Sequence, residues 1–211
     1  MFTMMNNARL NVGIQGVGLA EQATQIAMSY AADRVQGRAP DAQRGENTPV
    51  AIASHPDVRN MLMTMRALTD AARAICYENG VFHDLAHFAG DDKAKAFNEL
   101  LTPISKAFST DIANEVSSLG VQIHGGMGFV EETGIAQFAR DAKILPIYEG
   151  TNGIQAIDLI NRKLPLANCA IISEYLDQIE ETINQCSGEE TLKELSSALK
   201  NGLADLRVAT D

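Results

Sequence analysis

Cysteine is scarce in this sequence, and its three occurrences follow no pairing pattern. Cys76, Cys169 and Cys186 are odd in number, widely spaced and include no Cys-x-x-Cys pair. This arrangement argues against a disulfide scaffold and against a cysteine-based zinc site. It fits a protein of a reducing compartment, in which the three thiols are ordinary packing residues.

Clusters of basic residues and long apolar runs are also absent. The 17 Lys and Arg are outnumbered by 27 Asp and Glu, which gives a formal net charge of -10 at pH 7. Nucleic acid and anionic membrane surfaces are therefore not expected as partners. No apolar stretch approaches the ~18 residues of a membrane span, and the N-terminus lacks the basic start and apolar run of a signal peptide. We predict a cytoplasmic protein without a membrane span.

Strand-like alternation and fixed-period repeats are missing as well, whereas apolar residues recur at helical spacing. At Pro103 two interpretations stay open: a kink near the start of the third helix, or a helix that begins at Thr102. Thr151 or Asn152 can cap the helix after residue 150. We predict an all-α fold, an antiparallel up-down four-helix bundle with additional C-terminal helices. The predicted helices span about 3–36, 54–88, 95–122, 135–144, 151–164, 167–185 and 190–208, with a long polar loop over 37–49.

Three glycines lie inside the first predicted helix. Gly13, Gly16 and Gly18 each cost up to about 1 kcal/mol relative to alanine in such a position. A long helix that keeps all three is expected to approach another backbone or a ligand closely. Close helix packing is the favoured explanation, and ligand contact is the alternative.

The segment 144–155 places one carboxylate, Glu149, in a non-helical connection between two helical patterns. Pro146 removes a backbone donor, and Gly150 relaxes the backbone next to the carboxylate. Flanked by Ile147 and Tyr148, such a carboxylate is expected to be partly desolvated, which would make it a stronger base. The alternative is a surface glutamate in a turn.

A glycine-rich segment, QIHGGMG at 122–128, follows the third predicted helix. Backbone N–H groups in such a turn can hold a phosphate or a ring carbonyl. The spacing matches neither a Rossmann nor a P-loop motif. A helix stop explains Gly125 alone, but the segment holds more glycine than a stop requires.

Four other side chains have ordinary explanations. His83 and His87 stand four residues apart and could share a helix face, but they lack a cysteine partner or a metalloprotease glutamate, so we predict no metal site. Arg34 at the end of the first helix is by default a charge that interacts with the helix dipole. Arg9 is by default solvated.

Taken together and in order, these segments resemble the C-terminal helical domain of the acyl-CoA dehydrogenase family. The resemblance covers about residues 1–164, and the YEGT and QxxGG blocks together are quite specific. The opening of the chain and the helical tail after Pro165 look most like the larger bacterial branch that includes methylmercaptopropionyl-CoA dehydrogenases. We therefore predict the family's helical bundle over 1–164 and a helical tail, the start of a further C-terminal helical region, over 165–211. The matching blocks are Arg9 with VGLA at 17–20, YAADR at 30–34, QIHGGMGF at 122–129, RDAKI at 140–144 and IYEGT at 147–151.

The resemblance implies a flavin-dependent α,β-dehydrogenation of an acyl-CoA thioester, with FAD as cofactor and electron-transfer flavoprotein or a similar acceptor as partner. Glu149 matches the catalytic base that removes the α-proton while the β-hydrogen leaves as hydride to the flavin. Asn6, Arg9 and Gly150 match the substrate side, although the family often has aspartate where this chain has Asn6. The cofactor side is matched by Arg34, Gln36, Gln122, Gly125, Gly126 and Thr151.

Family members also carry an N-terminal helical domain and a middle β-domain, which cover the flavin and most of the acyl-CoA. These 211 residues supply neither. The resemblance therefore implies that the isolated chain is inactive, whereas the parent enzyme is a dehydrogenase that forms a homodimer or homotetramer. The alternative is a helical oligomerisation module with no catalysis of its own.

Overall fold

The computed structural model describes residues 2–39, 41 and 48–210. These residues form eight α-helices and little sheet, so the predicted all-α class is confirmed. The loop predicted over 37–49 lies largely outside the described residues, at 40 and 42–47. In the part of the chain that is described, no helix is both long and apolar enough to cross a membrane. The helices are α1 (Phe2–Asp33), α2 (Pro56–Asp84), α3 (Asp92–His124), α4 (Gly126–Phe129), α5 (Ile135–Ala142), α6 (Asn152–Asp158), α7 (Ala170–Cys186) and α8 (Lys193–Thr210).

The helix α3 begins well before its proline. Asp91 Oδ1 accepts the N–H groups of Lys93 at 2.9 Å and Ala94 at 3.0 Å, which satisfies two donors of the first turn. Pro103 then falls inside the helix. The interpretation in which a helix begins at Thr102 is therefore wrong, because the start is set by the aspartate cap.

A short antiparallel hairpin joins α1 to α2, which corrects the expectation that no strand is present. Its strands are β1 (Val35–Arg38) and β2 (Pro49–Ala51), paired with an irregular register. All of β1 is exposed. Alternation in sequence arises only when one strand face is buried, so this hairpin leaves no such pattern.

Two helices of the first compact unit, α1 and α3, approach each other closely. A Cβ at Gly13 would lie 2.9 Å from the carbonyl oxygen of Ser105, and one at Gly16 would lie 2.7 Å from that of Ser109. The predicted close helix packing is therefore confirmed at these two glycines. A Cβ at Gly18 would meet no atom within 4 Å, so packing does not explain that glycine.

This unit comprises Met1–Val81 and Leu101–Ala156. Its main hydrophobic core joins α1, α2, α3 and α5. The helix α1 contributes mostly small side chains to this core, and small side chains allow close helix packing. The buried members are Val17, Ala20, Ala23, Ala27, Ala31, Ile52, Met65, Ala72, Cys76, Ile112, Val116, Ile123 and Ile135.

The second compact unit comprises Phe82–Leu100 and Ile157–Asp211. Here α7 and α8 pack against each other. Arg207 Nη2 on α8 donates to Asp177 and Glu180 of α7 at 2.7 and 3.0 Å. The domain boundary after residue 164 stays a prediction. The buried core of this unit contains Leu100, Ile172, Leu176, Ile183 and Leu203.

Candidate active site

The junction between α5 and α6 turns in a left-handed backbone conformation. Glu149 has a φ of 55° and Gly150 a φ of 85°. The Asn152 N–H donates to the Pro146 carbonyl at 2.9 Å and closes the turn. A left-handed conformation costs a residue with a Cβ on the order of 1–3 kcal/mol and persists where the surroundings fix it. Glu149 therefore stands on a turn that other groups hold in place.

The Glu149 side chain is exposed, so the expectation of partial desolvation is wrong for this chain. Of the two apolar neighbours, Ile147 is itself 58% exposed. Tyr148 is half-buried, and its hydroxyl donates to Gln15 Oε1. The pKa of the Tyr148 phenol is raised by burial and by the Glu149 carboxylate. The carboxylate thus lies near the phenol while staying open to solvent.

Arg9 of α1 reaches this turn from inside the fold. Its side chain is buried, with 7% exposed, and its Nε donates to the Glu149 carbonyl at 3.4 Å. A Cβ at Gly150 would lie 3.0 Å from Gln155 Nε2 and 3.5 Å from Arg9 Nη2. Asn6 is half-buried one helical turn before Arg9. The structure therefore brings Arg9, Glu149 and Gly150 together, and the default interpretation of Arg9 as solvated is wrong.

Two further buried side chains hold the same turn. Lys106 of α3 is fully buried, and its Nζ donates to the Gly150 carbonyl and to Asn152 Oδ1, both at 2.9 Å. Gln155 of α6 is 1% exposed, and its Nε2 donates to the same Gly150 carbonyl at 3.0 Å. The Gly150 oxygen therefore accepts two hydrogen bonds of ordinary length from buried donors.

The electrostatics of Lys106 follow from this burial. Burial lowers its pKa to about 8, and the cation of Arg9 adds to the lowering. The carboxylates of Asp111 and Glu149 oppose the shift because they favour the charged form. At neutral pH the site therefore contains a buried ammonium that binds oxygen acceptors.

Sequence reasoning missed Lys106 and Gln155. A lysine in an amphipathic helix is ordinarily placed on the solvent face. One signal in the sequence could have found the lysine. Polar residues in the first half of α3 recur at the same helical spacing as the buried apolar residues Ala113 and Val116, and therefore lie on the same face. These buried polar residues are Thr102, Ser105, Lys106, Ser109 and Thr110.

A separate cavity of about 590 Å³ has walls from the end of α1, β1 and the start of the glycine turn. Four residues predicted for the cofactor side line it, namely Arg34, Gln36, Gly125 and Gly126. Arg34 and Gln36 are exposed, and Arg34 Nη2 donates to Gln36 Oε1 at 3.3 Å. The structure thus groups these four residues, and none of them belongs to the turn at Glu149.

The glycine turn itself presents open backbone. Gly125 has a φ of 59°, and its N–H donates to the Gln122 carbonyl at 3.0 Å. A Cβ at Gly125 or Gly126 would meet no atom within 4 Å. Gln122 and Thr151 are exposed outside this cavity, and Thr151 caps α6 by accepting the Ile154 N–H at 3.3 Å. An exposed guanidinium beside accessible backbone fits the pyrophosphate of a dinucleotide such as FAD.

Ordered aromatic side chains form the wall of this cavity. The rings of Tyr30 and His124 stack with centroids 4.1 Å apart. The buried His124 donates from Nδ1 to the Gly120 carbonyl at 2.7 Å, and His55 Nε2 donates to the Gln36 carbonyl at 2.7 Å. These bonds fix the edges of the cavity to α3 and β1.

The histidine pair predicted to share a helix face lies in the second unit. The rings of His83 and His87 stack with centroids 6.2 Å apart. Over residues 2–39, 41 and 48–210, no group of three or more His, Cys, Asp or Glu side chains could hold a metal ion.

These two sites can now be compared with known proteins. The sequence model of the family described as "Acyl-CoA dehydrogenase, C-terminal domain" matches residues 1–164. That range contains every residue of the turn at Glu149 and of the cavity at Arg34. The chain belongs to the acyl-CoA dehydrogenase family, through its C-terminal domain.

Individual relatives agree with this assignment. The chain is 54% identical to the 3-methylmercaptopropionyl-CoA dehydrogenase of Ruegeria pomeroyi over 167 residues, which is 78% of this chain and 28% of that protein. It is 32% identical to a butyryl-CoA dehydrogenase of Syntrophomonas wolfei over 218 residues, which is 99% of this chain and 35% of that protein. The crystal structure of Caenorhabditis elegans ACDH-11 in complex with C11-CoA superposes with a TM-score of 0.82 at 22% identity, over 97% of this chain and 32% of that one. This last likeness shows the fold alone. The chain spans between 28% and 35% of the length of these two curated relatives.

Proposed function

We propose that this chain is the C-terminal domain of an FAD-dependent acyl-CoA dehydrogenase, an oxidoreductase that forms a double bond between the α and β carbons of an acyl-CoA thioester. The observation that carries the proposal is the contact between Arg9 of α1 and the turn that contains Glu149 and Gly150. Proton abstraction requires a base that is fixed within reach of the substrate. Glu149 meets that need, since its backbone is bound from inside while its carboxylate faces outward.

Glu149 acts as the base that takes the α-proton. An α-C–H is too weak an acid for a fully hydrated carboxylate, so the base must lose water when the substrate covers it. The exposed face of Glu149 leaves room for that cover. We also propose that Arg9 and Asn6, on α1 behind the same turn, belong to the substrate side, where they would contribute a cation and an amide.

The cavity lined by Arg34 and Gln36 would hold the phosphates of FAD. A guanidinium binds phosphate oxygens with paired N–H groups, and backbone N–H groups of a turn bind them as well. Gln122 and Thr151, both exposed outside the cavity, would contact other parts of the cofactor. FAD, when bound, would supply the hydride acceptor for the β-hydrogen.

The complete enzyme is proposed to take an acyl-CoA as substrate and to pass electrons to an electron-transfer flavoprotein or a similar acceptor. We propose a homodimer or homotetramer as its assembly. Because the chain spans at most 35% of the length of the two curated relatives, we propose that it has no turnover alone. Incubating the purified chain with FAD, an acyl-CoA and an artificial acceptor tests this point, and measurable turnover would overturn it.

The catalytic role is tested with Glu149→Gln in the full-length dehydrogenase that contains this domain. The amide keeps the shape of the side chain but cannot accept the α-proton, so kcat should fall by about 10²-fold or more. The visible flavin spectrum should be retained. Glu115→Gln is a matched control, because Glu115 is an exposed glutamate of α3 and gives the same chemical change.

A second outcome would favour the oligomerisation module. If Glu149→Gln leaves turnover unchanged while the protein keeps its flavin, Glu149 is not the base. The helical domain would then act in assembly alone.

A further inference from the structure

Lys106 is a charged side chain inside α3 with no exposed surface. Burying a charge is costly unless the group is paired and hydrogen-bonded. We propose that Lys106 is a positioning residue for Glu149, which it aligns by binding the Gly150 carbonyl and the Asn152 side chain. This inference rests on the proposed role of Glu149 as the base.

The lengths of the hydrogen bonds show where the turn is held most firmly. The Glu149 carbonyl accepts two long contacts, from Arg9 Nε at 3.4 Å and from Gln155 Nε2 at 3.5 Å. The Gly150 carbonyl accepts two shorter bonds, from Lys106 Nζ at 2.9 Å and from Gln155 Nε2 at 3.0 Å. Shorter bonds with a charged donor are the stronger ones. The lysine bond to Gly150 is therefore a charge-assisted link between the backbone of this turn and α3.

Asn152 extends the same link by one residue. Its Oδ1 accepts Lys106 Nζ at 2.9 Å, and its Nδ2 donates to Asp111 Oδ1 at 2.8 Å. The Thr110 hydroxyl donates to the Lys106 carbonyl at 2.8 Å, so its oxygen can accept the Asn152 Nδ2 at 3.0 Å. Residues 150 and 152 are thus both bound to the segment 106–111 of α3.

The backbone of Glu149 needs such a link. Its φ of 55° lies in the region that residues with a Cβ rarely adopt. Without the lysine, the Gly150–Thr151 peptide would lose its charged donor, and the turn could relax toward ordinary φ values at Glu149. The carboxylate would then leave its position although the residue itself is unchanged.

The first test is hydrogen exchange in the 211-residue chain. In Lys106→Met the amides of residues 147–155 should exchange about tenfold faster or more, because a hydrogen bond from a charged donor is lost. The rest of α1, α2 and α3 should keep its protection. Lys106→Arg retains a charged donor and should preserve more of the protection than Lys106→Met. Lys163→Met is the matched control, since Lys163 is a buried lysine of the second unit, with Nζ 3.5 Å from Glu99 Oε2.

Two results would overturn the proposal. One is unchanged exchange at 147–155 in a folded Lys106→Met chain. The other is an equal increase in every segment, which would mean that the lysine contributes only to overall stability. If Lys106→Met fails to fold, Asn152→Ala removes the second acceptor of the ammonium at a half-buried position and should give the same local increase.

The second test is kinetic and uses the full-length dehydrogenase. Lys106→Met should lower kcat by about tenfold or more with little change in KM and with the flavin spectrum retained, because it displaces the base and leaves binding intact. Lys106→Arg should restore part of kcat. Hydrogen exchange does not depend on turnover, so a failure of Glu149 as the base would show in the Glu149→Gln enzyme while the exchange result stands.

Discussion

Buried polar side chains determine the geometry of the candidate active site at the scale of single residues. Lys106 and Gln155 are buried beneath an exposed carboxylate, and both bind the carbonyl of Gly150. Removing one partner of a buried hydrogen bond typically costs about 1–3 kcal/mol, because the remaining polar group is left unsatisfied. Substitutions beneath Glu149 are therefore expected to affect the turn more than substitutions of its exposed neighbours.

Lys106 should make the stability of the chain depend on pH. Its pKa is about 8 in the folded chain, against an ordinary value of 10.5. Between these values the unfolded chain binds the proton and the folded chain does not, so stability increases as pH rises. Below pH 8 both states are protonated, and the cost of the buried charge is fully present. Urea denaturation gives the free energy of unfolding of the native chain and of Lys106→Met. The native value minus the variant value should increase as the pH rises from 8 to 10.5.

The comparison with Lys106→Met is needed because two other groups act in the opposite direction. Burial raises the pKa of the Cys76 thiol and, together with Glu149, that of the Tyr148 phenol. Both groups hold their protons longer in the folded chain, so each lowers stability as pH rises above 9. Their effects cancel in the difference between the two proteins. A flat difference across this range would contradict a desolvated ammonium at position 106.

The exposed carboxylate could be located from sequence, whereas its supporting side chains could not. Pro146 and Gly150 interrupt the helical pattern beside Glu149, and a resemblance to a known family covers the same block. Lys106 lies on α3, 44 residues before Gly150, and only the tertiary fold brings the two together. Arg9 was matched to the substrate side by resemblance, but its burial also depends on the fold.

At the scale of elements, close packing of α1 on α3 places Arg9 and Lys106 in one site. The two helices touch through glycine, since a Cβ at Gly13 or Gly16 would overlap the α3 backbone. Backbone carbonyls cannot move aside as a flexible side chain can. The distance between the helices is therefore sensitive to a single methyl group at these positions.

Alanine substitutions on α1 should separate packing from helix propensity. In Gly16→Ala the new Cβ would lie 2.7 Å from the Ser109 carbonyl oxygen, so the chain should lose about 1–3 kcal/mol of stability. In Gly18→Ala no atom lies within 4 Å, so the chain should gain up to about 1 kcal/mol from helix propensity alone. Urea denaturation of both variants gives the two values. Equal effects at the two positions would contradict the close approach of α3.

Burial of one face of an element explains which elements could be predicted from the sequence. The long helices α2 and α3 bury one face, so their apolar residues follow the helical period. The hairpin of β1 and β2 contains no fully buried residue, so no apolar alternation marks it in the sequence. The helix start at Asp91 was obscured because Pro103 offered a competing signal twelve residues later.

At the scale of the whole molecule, a net charge of -10 leaves an excess of mutually repelling carboxylates. Attractive pairs oppose this repulsion. Arg73 of α2 pairs with Glu21 of α1 and with Asp70 of α2, and Arg207 of α8 pairs with Asp177 of α7. Surface pairs of this kind are worth about 0–1 kcal/mol each. Repulsion acts among all the unpaired carboxylates at once, so we expect it to exceed the attraction.

Salt should therefore stabilise the chain. Raising NaCl from about 20 to 200 mM shortens the screening distance to below about 10 Å, which weakens repulsion across the surface more than attraction between groups in contact. The melting temperature, followed by circular dichroism, should rise by a few degrees, and KCl should give the same rise. Arg73→Met removes two attractive contacts, with Glu21 and Asp70, and adds to the negative excess, so its melting temperature should rise more steeply with salt. A fall in melting temperature would mean that the ion pairs outweigh the net charge, and the steeper response of Arg73→Met would then be absent.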